Sequence, residues 1–118
     1  MRIKAIIFCL FFCLFSCNQE EVIVDKANDQ IELVNGVLFY QNTPFNGLLV
    51  SKYDASTFKT KLEYVDGRKD GYEKQWYPNG QLSQTRRYTE GLKTGNHIGW
   101  WEDGSRKFNY QFNDKGEY

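Results

Sequence analysis

The chain contains little of what catalytic and nucleic-acid-binding proteins commonly use. It has a single histidine, His97, so a metal site built on a histidine cluster is excluded. Its 15 Lys+Arg residues are balanced by 15 Asp+Glu residues. A dedicated nucleic-acid binder needs a basic excess to neutralise phosphates, and this chain has none. We therefore expect no metal, no cofactor and no nucleic-acid partner.

Aromatic residues, by contrast, are abundant. They make up 17% of the 118 residues of a polar chain whose mean hydropathy is −0.64. Tyr, Trp and Phe are enriched in strands. The length is enough for one domain and too short for two large ones. Composition therefore predicts a single all-β domain.

The N-terminus has the pattern of an export signal. Arg2 and Lys4 precede an apolar run over residues 5–15, in which only two cysteines interrupt the apolar side chains. As a helix this run would be about 16 Å long, whereas the hydrocarbon core of a bilayer is about 30 Å thick. The pattern predicts a signal peptide over residues 1–16 rather than a permanent transmembrane helix.

The signal ends in Leu14-Phe15-Ser16-Cys17, which resembles a bacterial lipobox. The resemblance implies that the Cys17 thiol receives a diacylglycerol and that cleavage makes Cys17 the new N-terminus. No second cysteine would remain to pair with it, and the alternative is ordinary cleavage that leaves a free thiol. Two acyl chains suffice for stable anchoring. We expect a lipid-anchored protein of the bacterial cell envelope, on the outer membrane, facing the periplasm or the cell surface.

Beyond Cys17 the sequence divides into a tether and a repeat domain. Residues 17–30 are mostly polar and predict a flexible tether, with a short docking segment left open at residues 22–24. From residue 31 onward a 24-residue period relates Gly47, Gly71 and Gly95. A fixed period of this length is typical of a repeat architecture. We assign a domain to residues 31–118, with repeats at 47–70, 71–94 and 95–118.

Each repeat is predicted to be a hairpin of two strands. Pro78-Asn79-Gly80 is a turn signal between two such strands, and Asn35-Gly36 marks an earlier hairpin. Further reversals are predicted over residues 66–71 and 90–95, each with glycine at both ends. The result is an elongated antiparallel meander of about eight short strands.

Alternation of side chains assigns the faces of this meander. In the second strand of the first repeat, one face is predicted to carry Phe58, Thr60, Leu62 and Tyr64. The opposite face is predicted to meet water. Few aliphatic residues follow Ser51, so we expect the apolar face to be largely aromatic.

The unit from Gly71 to Gly95, with the segment Trp76-Tyr77-Pro78-Asn79-Gly80, resembles the MORN-repeat variant of bacterial proteins. The resemblance covers residues 35–118 and extends to the group labelled YwqK-like antitoxins. It implies an array of β-hairpin repeats and an immunity-like role in which a toxin is the protein partner. It brings no catalytic residues with it.

The sequence offers no catalytic constellation. No serine lies in a nucleophile elbow, and phosphate-cradling motifs are absent. A small envelope hydrolase that uses His97 as a base, with a serine or an acid, is left open as an alternative. A passive structural spacer is a further alternative.

Binding through aromatic columns is the preferred hypothesis. Two columns of opposite parity are predicted, and one of them should face outward. Beside Arg86, Arg87 and Lys107 its rigid amphipathic rings would suit a protein or an envelope glycan. The residues of the predicted binding surface are Tyr53, Tyr77, Trp101, Trp76, Trp100 and Arg86. The sequence thus predicts an anchored, non-catalytic interaction module.

Overall fold

The structure, a computed structural model, describes residues 20–118. The predicted signal peptide and Cys17 lie outside these residues. None of residues 20–118 forms a helix of the length and apolarity that crossing a membrane takes. The strands of this part of the chain are β1 (Ile23–Asp25), β2 (Ile31–Val34), β3 (Val37–Tyr40), β4 (Thr43–Pro44), β5 (Gly47–Lys52), β6 (Phe58–Val65), β7 (Arg68–Trp76), β8 (Leu82–Thr89), β9 (Leu92–Trp100) and β10 (Arg106–Phe112).

The strands form two sheets. The larger has seven strands in the order β1-β5-β6-β7-β8-β9-β10, and the smaller has three in the order β2-β3-β4. Every pairing is antiparallel except that of β1 with β5, which is parallel. The predicted all-β antiparallel meander is therefore confirmed. Its six consecutive strands from β5 to β10 are joined by short turns, as expected for local hairpin pairing.

Two kinds of turn alternate along the meander. Two-residue turns with positive φ, at Asp66-Gly67 and at residues 90–91, join β6 to β7 and β8 to β9. Five-residue turns join the other pairs, and the turn after β7 is closed by the Tyr77 amide donating to the Gln81 carbonyl over 2.9 Å. The predicted six-residue reversals over 66–71 and 90–95 are therefore wrong. Gly71 lies within β7 rather than in a turn. Its positive φ allows the strand to bulge at this point, opposite Glu63.

The 24-residue period is visible in the hydrogen bonds between neighbouring hairpins. The Asn46 side chain accepts from the Asp66 amide over 3.0 Å. One period later the Asp70 carboxylate accepts from the Glu90 amide, also over 3.0 Å. These side chains satisfy amides at the two-residue turns, so each hairpin fixes the turn that follows it.

The hydrophobic core lies at the N-terminal end of the meander, between the two sheets. Its buried members are four aliphatic residues and one aromatic residue: Val24, Leu38, Leu49, Leu62 and Phe45. Most of the aliphatic side chains lie in this cluster, because the segment before Ser51 supplies them. Farther along the meander the same side of the large sheet carries the rings of Tyr64, Tyr88 and Phe112, in keeping with the expected aromatic face. We call the covered side of the large sheet the core face.

Strand β1 places part of the predicted tether inside the fold. Val24 pairs with Leu49 of β5 and is only 4% exposed. The folded domain therefore begins at Ile23 rather than at Ile31. The strand overlaps residues 22–24, where a docking segment had been left open.

A recurring bulge shifts one side chain of each second strand. Lys59, Ser83 and Lys107, which are 24 residues apart, are each skipped in the pairing of their strands. Such a bulge reverses the face on which the next residue lies. The prediction that Phe58 shares a face with Leu62 is therefore wrong. Its ring lies on the opposite face, 6.4 Å from the Trp76 ring.

Candidate functional site

Basic residues are concentrated in the strands of the meander. Together β5 to β10 carry eleven basic and three acidic residues, although residues 20–118 as a whole carry two more acids than bases. The basic ones are Lys52, Lys59, Lys61, Arg68, Lys69, Lys74, Arg86, Arg87, Lys93, Arg106 and Lys107. Most of the acids lie in the turns and at the N-terminal end instead.

The three strand acids are used within the fold. The carboxylate of Glu63 accepts from the Tyr72 amide. The Asp70 carboxylate accepts from the Glu90 amide at the turn described above. Glu73 is buried and forms, with Lys69 at 3.3 Å, the single ion pair found in residues 20–118. Among the described residues, ten of the eleven strand cations therefore have no carboxylate within salt-bridge distance.

Several of these cations lie together on the side of the large sheet opposite the core face. Lys61 of β6 is directly opposite Lys74 of β7, and Arg87 of β8 is diagonal to Lys74. Like charges placed directly opposite each other destabilise a sheet. We call this side the cationic face and define it by Lys52, Lys61, Lys74, Arg87, Phe58, Tyr72 and Trp76.

Aromatic rings lie under the cations of this face. The Lys61 ammonium is 4.0 Å from the centre of the Phe58 ring. The Lys74 ammonium and the Arg87 guanidinium lie 5.6 and 5.7 Å from the centre of the Tyr72 ring. Cation–π attraction of about 0.5–1 kcal/mol at exposed sites holds the cations in place. It leaves their charges unneutralised.

Two depressions flank Tyr72, which is 48% exposed. One of about 200 Å³ contains Lys61 and Lys74. It is bordered also by Leu48, by Glu63 and by Glu21 of the N-terminal segment. The other, of about 340 Å³, contains Arg87 together with the neutral polar side chains of Thr85, Asn96 and Gln111.

The first predicted aromatic column has a structural role in two of its three members. The Tyr53 hydroxyl donates to the Trp76 carbonyl over 3.0 Å. One period later the Tyr77 hydroxyl donates to the Trp100 carbonyl over 2.7 Å. Trp101 ends the column, is 51% exposed and has the Lys107 ammonium 4.4 Å from its ring centre.

The other predicted binding residues fall on different faces. Trp76 belongs to the cationic face, where Lys61 lies 5.7 Å from its ring. Trp100 is half-buried on the same side of β9. Arg86 lies on the core face, where its guanidinium is 5.6 Å from the Phe108 ring. The structure therefore does not bring Arg86 to the tryptophans.

His97 is a packed residue of the core face, 1% exposed. Its Nε2 lies 2.9 Å from the Arg87 carbonyl, a contact in which only the nitrogen can donate. Its Nδ1 is buried with no hydrogen-bond partner in residues 20–118. Burial lowers the pKa of His97, with Arg86 and Lys93 adding to the effect.

The neighbouring rings complete this packing. Tyr88 and Phe112 lie 5.8 and 4.6 Å from the His97 ring, measured between centres. Burial, aided by Glu73, raises the pKa of Tyr88 to about 12. No hydroxyl is hydrogen-bonded to His97 in the part of the chain that the structure describes.

Comparisons with family models, curated proteins and solved structures give no match to this chain. Within residues 20–118 no group of three or more His, Cys, Asp or Glu side chains could hold a metal ion. Functional conclusions therefore depend on the geometry of the chain itself. The sequence prediction missed Lys61, Lys74 and Tyr72, whereas it included Arg87 among the cations beside the aromatic row. The available signal was the uneven distribution of charge, with bases in strands and acids in turns.

Proposed function

We propose that this chain is a membrane-anchored lipoprotein of the bacterial cell envelope whose repeat sheet is a non-catalytic binding module. The cationic face carries the proposal. Its cations lack carboxylate partners within the fold, and Lys61 faces Lys74 at a cost in stability. Such a face suits a partner that brings negative charge. That partner is an envelope polymer or a protein, such as the toxin that the family resemblance implies.

The place of β1 supports an envelope role. Ile23 follows Cys17 by six residues, which span at most about 22 Å when fully extended. A lipidated Cys17 would therefore keep the first strand of the large sheet near the membrane surface. Polymers and proteins of that surface are within reach of the cationic face.

The two alternatives draw less support from the geometry. A hydrolase would need His97 to accept a proton from a nucleophile, but its Nε2 donates to carbonyls and its Nδ1 is buried. A passive spacer gives no reason for the opposed pair Lys61 and Lys74.

Anchoring is tested by labelling cells with a clickable fatty acid. We expect label on the wild-type protein and none on the Cys17→Ala variant. Protease treatment of intact cells then shows whether the repeat domain is outside. Label on both proteins, or on neither, would contradict lipidation of Cys17.

Binding is tested by photo-crosslinking in intact cells that make the full-length protein. A photoreactive amino acid replaces Tyr72 on the cationic face or, as a control, Tyr110 on the core face. The two tyrosines are matched in exposure, at 48% and 45%. We expect adducts of higher mass from position 72 and few from position 110. Equal yields at both positions would contradict a binding role for the cationic face.

A further inference from the structure

We propose that the cationic face binds an acidic polysaccharide, a chain of sugar units that carry carboxylates. This inference rests on the proposed function and names the partner's chemistry. The sugar chain would cross the sheet over Tyr72, with one unit in the depression at Lys61 and Lys74 and the next in the depression at Arg87.

The cations of the face fit repeated carboxylates, although the side chains of Glu21 and Glu63 border the first depression as well. Lys61, Lys74 and Arg87 follow one another across three neighbouring strands. Strands of a sheet are about 4.8 Å apart, so the three cations form a row rather than a single point. A polymer with an anionic group on each unit can neutralise such a row. A single small anion would neutralise only part of it.

The uncharged groups of the face fit sugar rings. Tyr72 lies between the two depressions and is 48% exposed, although Lys74 and Arg87 approach its ring. The C–H face of a sugar ring can pack on the part of the ring that these cations leave open. Thr85, Asn96 and Gln111 in the second depression supply a hydroxyl and two amides. These groups donate to and accept from sugar hydroxyls.

The same features make other polyanions weaker candidates. Single-stranded nucleic acid binds by stacking bases on open aromatic rings. Here the Phe58 ring is covered by the ammonium groups of Lys61 and Lys52, at 4.0 and 4.8 Å from its centre. Tyr72 is then the one largely exposed ring among the residues that define the face, whereas successive bases need several. A membrane-binding face adds apolar side chains that enter the lipid. Among the residues that define the cationic face, Tyr72 alone is a largely exposed apolar ring.

The test measures binding of a fluorescent oligogalacturonate of about ten units to the full-length protein in neutral detergent. The comparison ligands are its fully methyl-esterified form and an oligothymidylate of equal length. We expect the oligogalacturonate to bind, and to bind less tightly as salt rises. The esterified form should lose at least tenfold in affinity, and the oligothymidylate should bind no better than it.

Variants then locate the site. The double variant Lys61→Gln/Lys74→Gln should lose at least tenfold in affinity. Its matched control, Lys26→Gln/Lys115→Gln, removes two exposed cations outside the strands and should bind as the wild type does. Tyr72→Phe should retain binding, whereas Tyr72→Ala should lose it. Circular dichroism confirms the fold of each variant.

The outcomes separate the inference from the proposed function. The inference is overturned if the oligogalacturonate does not bind, if the control variant loses as much affinity as the double variant, or if the oligothymidylate binds equally well. In that case, protein adducts from position 72 in cells would still support the binding module. Absence of adducts from position 72 would overturn both.

Discussion

At the scale of single residues, Lys61 belongs to the proposed binding face, whereas His97 is packed in the core face. Lys61 keeps an unpaired charge at the surface, opposite Lys74. His97 carries the only imidazole of the chain, yet its Nε2 is hydrogen-bonded to backbone carbonyls. The histidine, a residue type that often acts in catalysis, is thus a core residue here. Lysines of the strands form the proposed binding site instead.

The burial of His97 predicts a stability that depends on pH. Its usual pKa of 6.5 is lowered in the fold, so the unfolded chain binds a proton that the folded chain resists. The free energy of unfolding should therefore be highest above pH 6.5 and fall as the pH drops below it, by at most about 1.4 kcal/mol per pH unit for one proton. Urea unfolding at several pH values measures this.

The matched variant for this prediction is His97→Gln, which keeps an amide donor and removes the titrating group. Its unfolding free energy should change less between pH 6.5 and pH 5 than that of the wild type. Arg86 and Lys93, whose charges also lower the pKa of His97, are present in both proteins, so the comparison isolates the imidazole. Equal slopes for the two proteins would contradict the assigned role of His97.

The hydroxyl of Tyr77 gives a second prediction. It donates to the Trp100 carbonyl over 2.7 Å and so connects successive hairpins. Tyr77→Phe should lower the free energy of unfolding by about 0.5–1.5 kcal/mol. Tyr110→Phe is the control, since its hydroxyl has no hydrogen-bond partner within residues 20–118. Similar losses in both variants would show that the hydroxyl of Tyr77 does not connect the hairpins.

At the scale of elements, the two-residue turns hold the meander against its neighbours. The turn Asp66-Gly67 meets β3, and the Leu38 amide donates to the Gly67 carbonyl over 2.8 Å. The sequence predicts such turns from their glycines. It does not reveal that a turn from one hairpin packs under a strand of the small sheet.

Gly67 and Gly36 provide a matched test of this contact. Both have φ near +80°, at +79° and +77°, so alanine at either position incurs similar backbone strain. An added Cβ at Gly67 would meet the Val37 side chain and lie 2.7 Å from the Leu38 carbonyl oxygen, whereas nothing lies within 4 Å at Gly36. Gly67→Ala should therefore lower the melting temperature well beyond Gly36→Ala. Thermal unfolding of both variants measures the difference.

At the scale of the whole molecule, the two ends of the fold differ in how they are packed. The N-terminal end has an aliphatic core closed by β1, whereas within residues 20–118 the last strand, β10, pairs with β9 alone. Folding stability is therefore expected to depend most on the N-terminal half. The proposed binding surface lies on the strands in between, from β6 to β8.

Strand β1 supplies the prediction at this scale. Val24→Asp places a carboxylate at a position only 4% exposed and should lower the free energy of unfolding by several kcal/mol. Ile23→Asp is the control, because its side chain on the opposite side of β1 is 61% exposed. If both variants unfold alike, β1 is not part of the cooperative fold.

Much of the local structure could be read from the sequence. Glycine spacing gave the 24-residue period, and strand propensity with turn chemistry gave the antiparallel meander. The candidate binding site was harder to predict from the sequence. Tyr53 and Tyr77 were predicted to bind a partner, but their hydroxyls join hairpins. Phe58 was assigned to the wrong face because a bulge at Lys59 leaves no clear mark in the pattern of side chains.

The sequence by itself determined the order of the hairpins, since each depends on contacts between residues close along the chain. Only the tertiary structure decided which faces the side chains share. The bulge at Lys59, the capture of Val24 by β5 and the opposition of Lys61 to Lys74 all depend on register between strands. Register is fixed by contacts across the sheet, and a shift of one residue exchanges its two faces.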